Sequence, residues 1–227
     1  DSPAPQPVGL GPRGIQRVMA DQEWVAIAAG ARHSVGLRAD GAIVTWGAND
    51  KRQLGGLKGN DPLAAQDRFG PAAIGPETNW VAVAAGGEHT LAIKRDGTLW
   101  AWGAADGGQL GIGEAASPTG LPSRVGTRTD WSAIAAGAFH SVGLCADGTV
   151  WGWGEGRGGQ LGPFASEREL RPAQIEEGRR GATVAAGSAC TVLVGADGAV
   201  TAWGQWHGRL GDEAGAASAG QPRFGER

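Results

Sequence analysis

Apolar and polar positions along this chain fall into short runs of strand length. WVAIAAG (24–30), WVAVAAG (80–86), WSAIAAG (131–137) and ATVAAG (182–187) are apolar runs of small and β-branched residues, each ending at glycine. After the first of these comes HSVGLRADGAIVTWG (33–47), two strand-like stretches around an Asp-Gly pair. Asp-Gly readily takes the positive φ values of a two-residue hairpin turn, so the pattern predicts strand, turn, strand. The segments PAAI (71–74), PSRV (122–125) and PAQI (172–175) add a fourth strand of edge type, where a proline without an N–H is tolerated.

This unit occurs four times. Ala-Ala-Gly ends at Gly30, Gly86, Gly137 and Gly187, spaced by 56, 51 and 50 residues. Asp-Gly pairs at 40–41, 96–97, 147–148 and 197–198 and Trp-Gly at 46–47, 102–103, 153–154 and 203–204 keep the same step, and Leu-Gly at 54–55, 110–111, 161–162 and 210–211 keeps it except for a last turn one residue shorter. Four short strands per repeat of about 50 residues is the size of one propeller blade, which predicts an all-β fold of antiparallel blades. The expected organisation is an N-terminal extension over 1–14 and a four-repeat domain over 15–227, with repeats at about 15–70, 71–121, 122–171 and 172–227.

Composition narrows the classes of function. Of 227 residues 42 are glycine without a Gly-X-Y period, which excludes collagen and suits many tight turns. The formal net charge of -3, with no dense Lys/Arg block, argues against a general nucleic-acid binder. No apolar run is long enough to cross a membrane as a helix, so membrane insertion is not expected. The opening DSPAPQP reads as the start of a mature exported protein or as an arbitrary boundary, and a periplasmic or secreted location is slightly favoured. Arginine in excess of lysine with abundant Ala and Gly points to a GC-rich bacterial genome.

The pattern (V/I)AAGxxHS…L…DG…WG…GQLG resembles the repeat of the regulator of chromosome condensation family, from about Ile15 to about Phe224. The resemblance implies a β-propeller whose members act by binding through loops on a propeller face. Among them are a nucleotide exchange factor for a small GTPase, a plant light receptor and a bacterial inhibitor of β-lactamases. Well-known members have seven blades. Four repeats leave an open arc, a four-bladed ring, or part of a larger ring, with Pro222 to Phe224 resembling the opening strand of a fifth blade. The light receptor's Gly-Trp-Arg-His-Thr repeat is absent: Ala31, Gly87, Ala138 and Ser188 follow the glycines here.

His33, His89 and His140 recur three residues after the glycine, and Cys190 takes the fourth place. Three imidazoles could make a zinc set, but one position repeated in successive blades reads as a fold requirement: a buried His bonded to backbone of its own or the next blade. No metal or cofactor is expected. Trp46, Trp102, Trp153 and Trp203, with Trp100 and Trp151, read as core filling between blades. Cys145 aligns with Arg38 and Lys94 and is expected to point outward, Cys190 to be buried, and the two not to pair. The turns ADGGQLG and GRGGQLG lack the ending of a phosphate loop, and no catalytic constellation departs from the repeat, so no enzyme is expected. Non-repeating residues remain for recognition: Lys51, Arg52, Lys58, Asp61 and Arg68 in the long 49–69 loop, and Trp206 with His207 in a shortened turn. The expected function is a non-catalytic scaffold or assembly subunit that binds another protein or a second copy of itself. Guanine-nucleotide exchange on a small GTPase and inhibition of a secreted enzyme are the alternatives.

Overall fold

Each Asp-Gly pair forms a hairpin turn, and its glycine takes positive φ: 83° at Gly41, 75° at Gly97, 83° at Gly148 and 81° at Gly198. The computed structural model describes residues 23–56, 65–113, 118–162, 166–176 and 180–205. Within these, the first sheet contains β1 (Trp24–Ala29), β2 (His33–Arg38), β3 (Ile43–Gly47) and β4 (Arg68–Ala73), in spatial order β1-β2-β3-β4. The second contains β5 (Trp80–Ala85), β6 (His89–Lys94), β7 (Leu99–Gly103) and β8 (Thr119–Arg124). The third contains β9 (Trp131–Ala136), β10 (His140–Cys145), β11 (Val150–Glu155) and β12 (Arg168–Glu176). The fourth has β13 (Gly181–Ala186), β14 (Cys190–Gly195) and β15 (Val200–Gly204) among the described residues.

All pairings are antiparallel, and the fold is the all-β stack of blades that the repeat predicts. The proline segments are the outermost strands: β4 carries Pro71, β8 Pro122 and β12 Pro172. They close the sheet begun by the preceding Ala-Ala-Gly strand, so each of the first three sheets straddles a boundary between sequence repeats.

The Ala-Ala-Gly strands lie innermost. β1 packs on β5, β5 on β9 and β9 on β13, joining blades 1 to 2, 2 to 3 and 3 to 4. No packing pair of comparable extent joins blade 4 to blade 1 among the described residues, so the four-bladed ring is not seen.

Between blades, one face of each sheet meets the opposite face of the next. Val35, Leu37 and Ile43 of blade 1 pack on Trp80, Ala92 and Trp102 of blade 2. Leu91, Ile93 and Leu99 of blade 2 pack on Trp131 and Trp153 of blade 3. Val142, Leu144 and Val150 pack on Leu193 and Trp203. Trp102 and Trp153 are fully buried and Trp203 nearly so. Each removes roughly 200 Å² from water, so the indoles carry much of the junction energy. Trp46 departs from the core expectation. It is only half-buried, stacked edge-on against Trp24 at 6.3 Å, because no blade covers that face of blade 1 among the described residues.

Candidate functional site

The recurring polar residues assemble at the junctions between blades. His33 begins β2 in blade 1, and its Nε2 lies 3.0 Å from Thr90 Oγ1 of blade 2. The Thr90 hydroxyl donates to the backbone carbonyl of Gln53, 2.8 Å away in the blade 1 loop. Trp102 Nε1 of blade 2 donates to the same carbonyl at 2.9 Å. The next junction repeats the set. His89 Nε2 lies 2.8 Å from Ser141 Oγ, and Ser141 Oγ and Trp153 Nε1 donate to Gln109 O at 2.8 and 2.9 Å. His140 Nε2 lies 3.1 Å from Thr191 Oγ1 at the third.

The partner of each histidine is thus a hydroxyl of the next blade, not the backbone the sequence led us to expect. The hydroxyls of Thr90 and Ser141 spend their hydrogens on Gln carbonyls, so each facing imidazole donates from Nε2. Nδ1 of His33 and His89 has no hydrogen-bond partner among the described residues. A second proton there would be buried without an acceptor. Burial accordingly lowers His33 to about 4, His89 to about 3 and His140 to about 4. Neighbouring His33 and His140 lower His89 further. All three are neutral near pH 7, and each Nε2 is occupied by a hydroxyl.

The glycine of Ala-Ala-Gly is the seat of this ring. A Cβ at Gly86 would sit 2.1 Å from His89 Cε1 and 2.6 Å from the Gly137 carbonyl, closer than packing allows. Backbone stitches follow at the same level: Ala31 N–H to Gly87 O (3.3 Å), Gly87 N–H to Gly137 O (3.1 Å) and Ala138 N–H to Ser188 O (2.9 Å).

The glutamines of the recurring Gln-Leu-Gly are fold residues that the sequence pattern alone does not single out. Gln53 Oε1 accepts from Lys51 N–H at 2.9 Å and Gln109 Oε1 from Gly107 N–H at 2.8 Å. Each amide stiffens the loop whose carbonyl the next blade grips. Their recurrence in register was the available signal.

Both this stitching and the Gln loops lie at one end of the blades; the Asp-Gly hairpins lie at the other. The first end presents Arg32, which reaches Asp50 at 2.7 Å and Glu88 of the next blade at 3.5 Å. Burial raises the Asp50 carboxyl, and hydrogen bonds from Arg32 and Gln53 more than reverse this, leaving it below its usual value. In the register of Arg32 and Glu88, blade 3 presents Phe139, 47% exposed. Arg157 and Glu167 pair nearby in sequence from Phe139's blade, at 3.3 Å.

The predicted recognition residues divide. Lys51 and Arg52 lie at this loop end, half-buried, and Arg52 holds a positive φ of 62°. Arg68 starts β4 and turns inward, donating to Thr45 Oγ1 (3.2 Å) and Gly55 O (3.0 Å). Lys58, Asp61, Trp206 and His207 lie outside the described residues.

Both cysteines are free; Cys145, expected to point outward, is buried, and Cys190, expected to be buried, is only partly so. Cys145 is 1% exposed and packs within the blade 2–3 core; the aligned Lys94 does not reach outward either, its side chain lying over the Trp80 and Trp100 rings with the ammonium paired to Glu77. Cys190 is half-buried, with no further blade over its face of blade 4 among the described residues. At the hairpin end, ligand atoms of Asp130, Cys145 and Asp147 lie within 4.8 Å of one another. Arg128 already occupies this cluster, 2.7 Å from Asp130 and 3.8 Å from Asp147, and lies over the Trp151 ring. Burial raises the Cys145 thiol to about 11, so it stays protonated, and the arrangement fits a guanidinium-centred ion pair better than a metal site.

These features are those of an RCC1-type β-propeller. The regulator of chromosome condensation (RCC1) repeat profile matches residues 40–93, 96–144 and 147–194, and a second profile of that description matches 24–53, 80–109 and 131–160. The chain belongs to the RCC1-repeat family. Human E3 ubiquitin-protein ligase HERC2 is 33% identical over 138 residues, 59% of this chain and 3% of that protein. Arabidopsis thaliana RUG3, an RCC1 domain-containing mitochondrial protein, is 33% identical over 69% of this chain and 37% of its own length. The ultraviolet-B receptor UVR8 of the same plant is 33% identical over 66% and 33%. Among solved structures, Prp20p of Saccharomyces cerevisiae superposes with a TM-score of 0.72 at 25% identity, over 84% of this chain and 49% of Prp20p. Human WBSCR16 gives 0.75 at 22% identity, over 88% and 51%. The chain therefore spans about half of these solved chains and little more than a third, at most, of the curated relatives. The bacterial origin inferred from composition finds no support in these relatives, which are human, plant and yeast proteins.

Proposed function

We propose that the chain is a non-catalytic scaffold that binds another protein through its loop end. One observation carries this reading. The repeated histidines, hydroxyls and glutamines, which would be the raw material of a catalytic or metal site, are spent on joining blades. What the loop end offers to solvent is instead non-repeating: the Arg32–Asp50–Glu88 group and Phe139. An exposed aromatic beside mixed charge on a rigid scaffold suits protein recognition. Prp20p is described by its binding to Gsp1p and histones and by its complex with Kap60, which supports the class and leaves the partner of this chain open.

The test is comparative capture. Immobilised wild-type chain should retain a protein that the R32E/F139D double variant loses and that F69D, altered at an exposed outer-rim residue, still retains. Equal retention by all three would reject the loop end. Exchange assays on a small-GTPase panel separate the alternative drawn from the family. The scaffold reading expects no acceleration of nucleotide release, and acceleration reduced by R32E would replace it.

A further inference from the structure

The outer rim of the blade 2–3 junction holds a cavity of about 220 Å³ at its hairpin end. Val125, Trp131 and Trp151 form its walls, and Thr127, Arg128 and Arg171 stand at its mouth. The same place in the blade 1–2 junction is built from the equivalent Ile74, Trp80 and Trp100, and there the chain fills the space itself. The Lys94 ammonium lies 4.7 Å from the Trp80 centroid and 4.2 Å from that of Trp100. It pairs with Glu77 at 2.8 Å, and the Lys94 side chain is only 11% exposed.

Three changes in register remove that plug and reverse the charge. Cys145 stands where Lys94 does and is too short to cover an indole. Arg128 replaces Glu77, and Arg171 replaces Leu121. Arg128 covers Trp151, its guanidinium 4.9 Å from the ring centroid, and among the described residues no cation lies over Trp131. The blade 1–2 site is therefore closed by the chain's own acid–base pair. The blade 2–3 site keeps the indole walls, is open, and has two guanidiniums at its mouth.

We propose that this cavity binds a small aromatic carboxylate. Its volume has room for one ring, and two indoles and a valine give that ring apolar, aromatic surroundings. The arginines favour an anion where the preceding junction takes an ammonium. Arg128 spends its charge on Asp130 at 2.7 Å and Asp147 at 3.8 Å. The carboxylate therefore falls to Arg171, which crosses from blade 3 to lie against Gly113 of blade 2. The cavity shares no residue with the loop-end group of Arg32, Asp50, Glu88 and Phe139, so the proposal stands separately from partner binding.

Calorimetric titration with phenylacetate, phenylacetamide and phenethylamine tests it, since the three share a ring and differ in charge. Phenylacetate should bind the wild-type chain with a dissociation constant of about 1 mM, and the other two about tenfold more weakly or worse. R171Q should weaken phenylacetate by about tenfold, while R38Q, in blade 1, should leave it unchanged. C145K/R128E rebuilds the Lys94–Glu77 pair over the indoles and should abolish binding with unchanged circular dichroism. If that variant does not fold, R171Q decides alone. Phenylacetate that fails to bind in the millimolar range, or that binds R171Q as it binds wild type, overturns the proposal. So does binding that survives in folded C145K/R128E. Equal binding of all three probes would reduce the site to an unselective apolar crevice, and tighter binding of phenethylamine would make it a cation cage; either result also overturns the proposal.

Discussion

Acidification should dismantle the blade junctions over a pH range that isolates the histidines. In the folded chain burial lowers His33 and His140 to about 4 and His89 to about 3, against an unfolded value near 6.5. The unfolded chain takes up these protons first, so the stability is fully present above pH 6.5. It is lost as pH falls below that, until the folded values are reached. At about 1.4 kcal/mol per unit, pH 5 costs about 2 kcal/mol for each histidine and about 6 kcal/mol for the three. That is comparable with the whole stability of an ordinary domain. Carboxylates do not interfere. Asp96 and Asp147, held below their usual values by hydrogen bonds from Thr98 and Thr149, lose stability only at lower pH. Urea unfolding followed by tryptophan fluorescence between pH 7.5 and 5 measures the slope, and H89Q, which keeps a donor but does not titrate, should flatten it by about a third. A change of less than about 1 kcal/mol between pH 7 and pH 5 would refute buried, neutral histidines as junction elements.

Other consequences are equally specific. G86A should cost about 3 kcal/mol, because its Cβ meets the His89 ring and the Gly137 carbonyl; G70A, with nothing within 4 Å, should be near neutral in the same denaturation assay. T90V removes both the acceptor for His33 and the donor to Gln53 O, and should cost about 2–3 kcal/mol in urea unfolding, more than W102F loses from its single indole bond alone. Cys145, buried and with its thiol raised to about 11, should resist iodoacetamide in the folded chain, while half-exposed Cys190 reacts; peptide mass spectrometry before and after unfolding reads both.

Much of the fold is visible in local sequence because local chemistry dictates it. Asp-Gly specifies the hairpins and leaves positive φ at Gly41, Gly97, Gly148 and Gly198. Proline marks β4, β8 and β12 as outer strands. What escaped the sequence is what crosses between blades. The hydroxyl that takes the His33 proton is 57 residues away, and nothing near His33 favours it over backbone. Burial at position 145 depends on how Trp131 and the neighbouring core pack, so the charged residues aligned with it misled. Trp46 and Ile27 follow the repeat as well as their more buried counterparts do; their exposure comes from tertiary context, since no blade covers that face of blade 1 among the described residues. At the loop end, Arg32, Asp50 and Glu88 meet only through the blade 1–2 junction, and no one segment shows the group.

The claim beneath all of this is that the repeated histidines and hydroxyls hold one blade to the next. A double-mutant cycle on His89 and Ser141, with H89A, S141A and the pair compared by urea unfolding at pH 7.5, measures that link directly across the blade 2–3 junction. The account predicts a coupling of about 1 kcal/mol or more, with the two single losses exceeding what the double variant loses. A coupling indistinguishable from zero would contradict it.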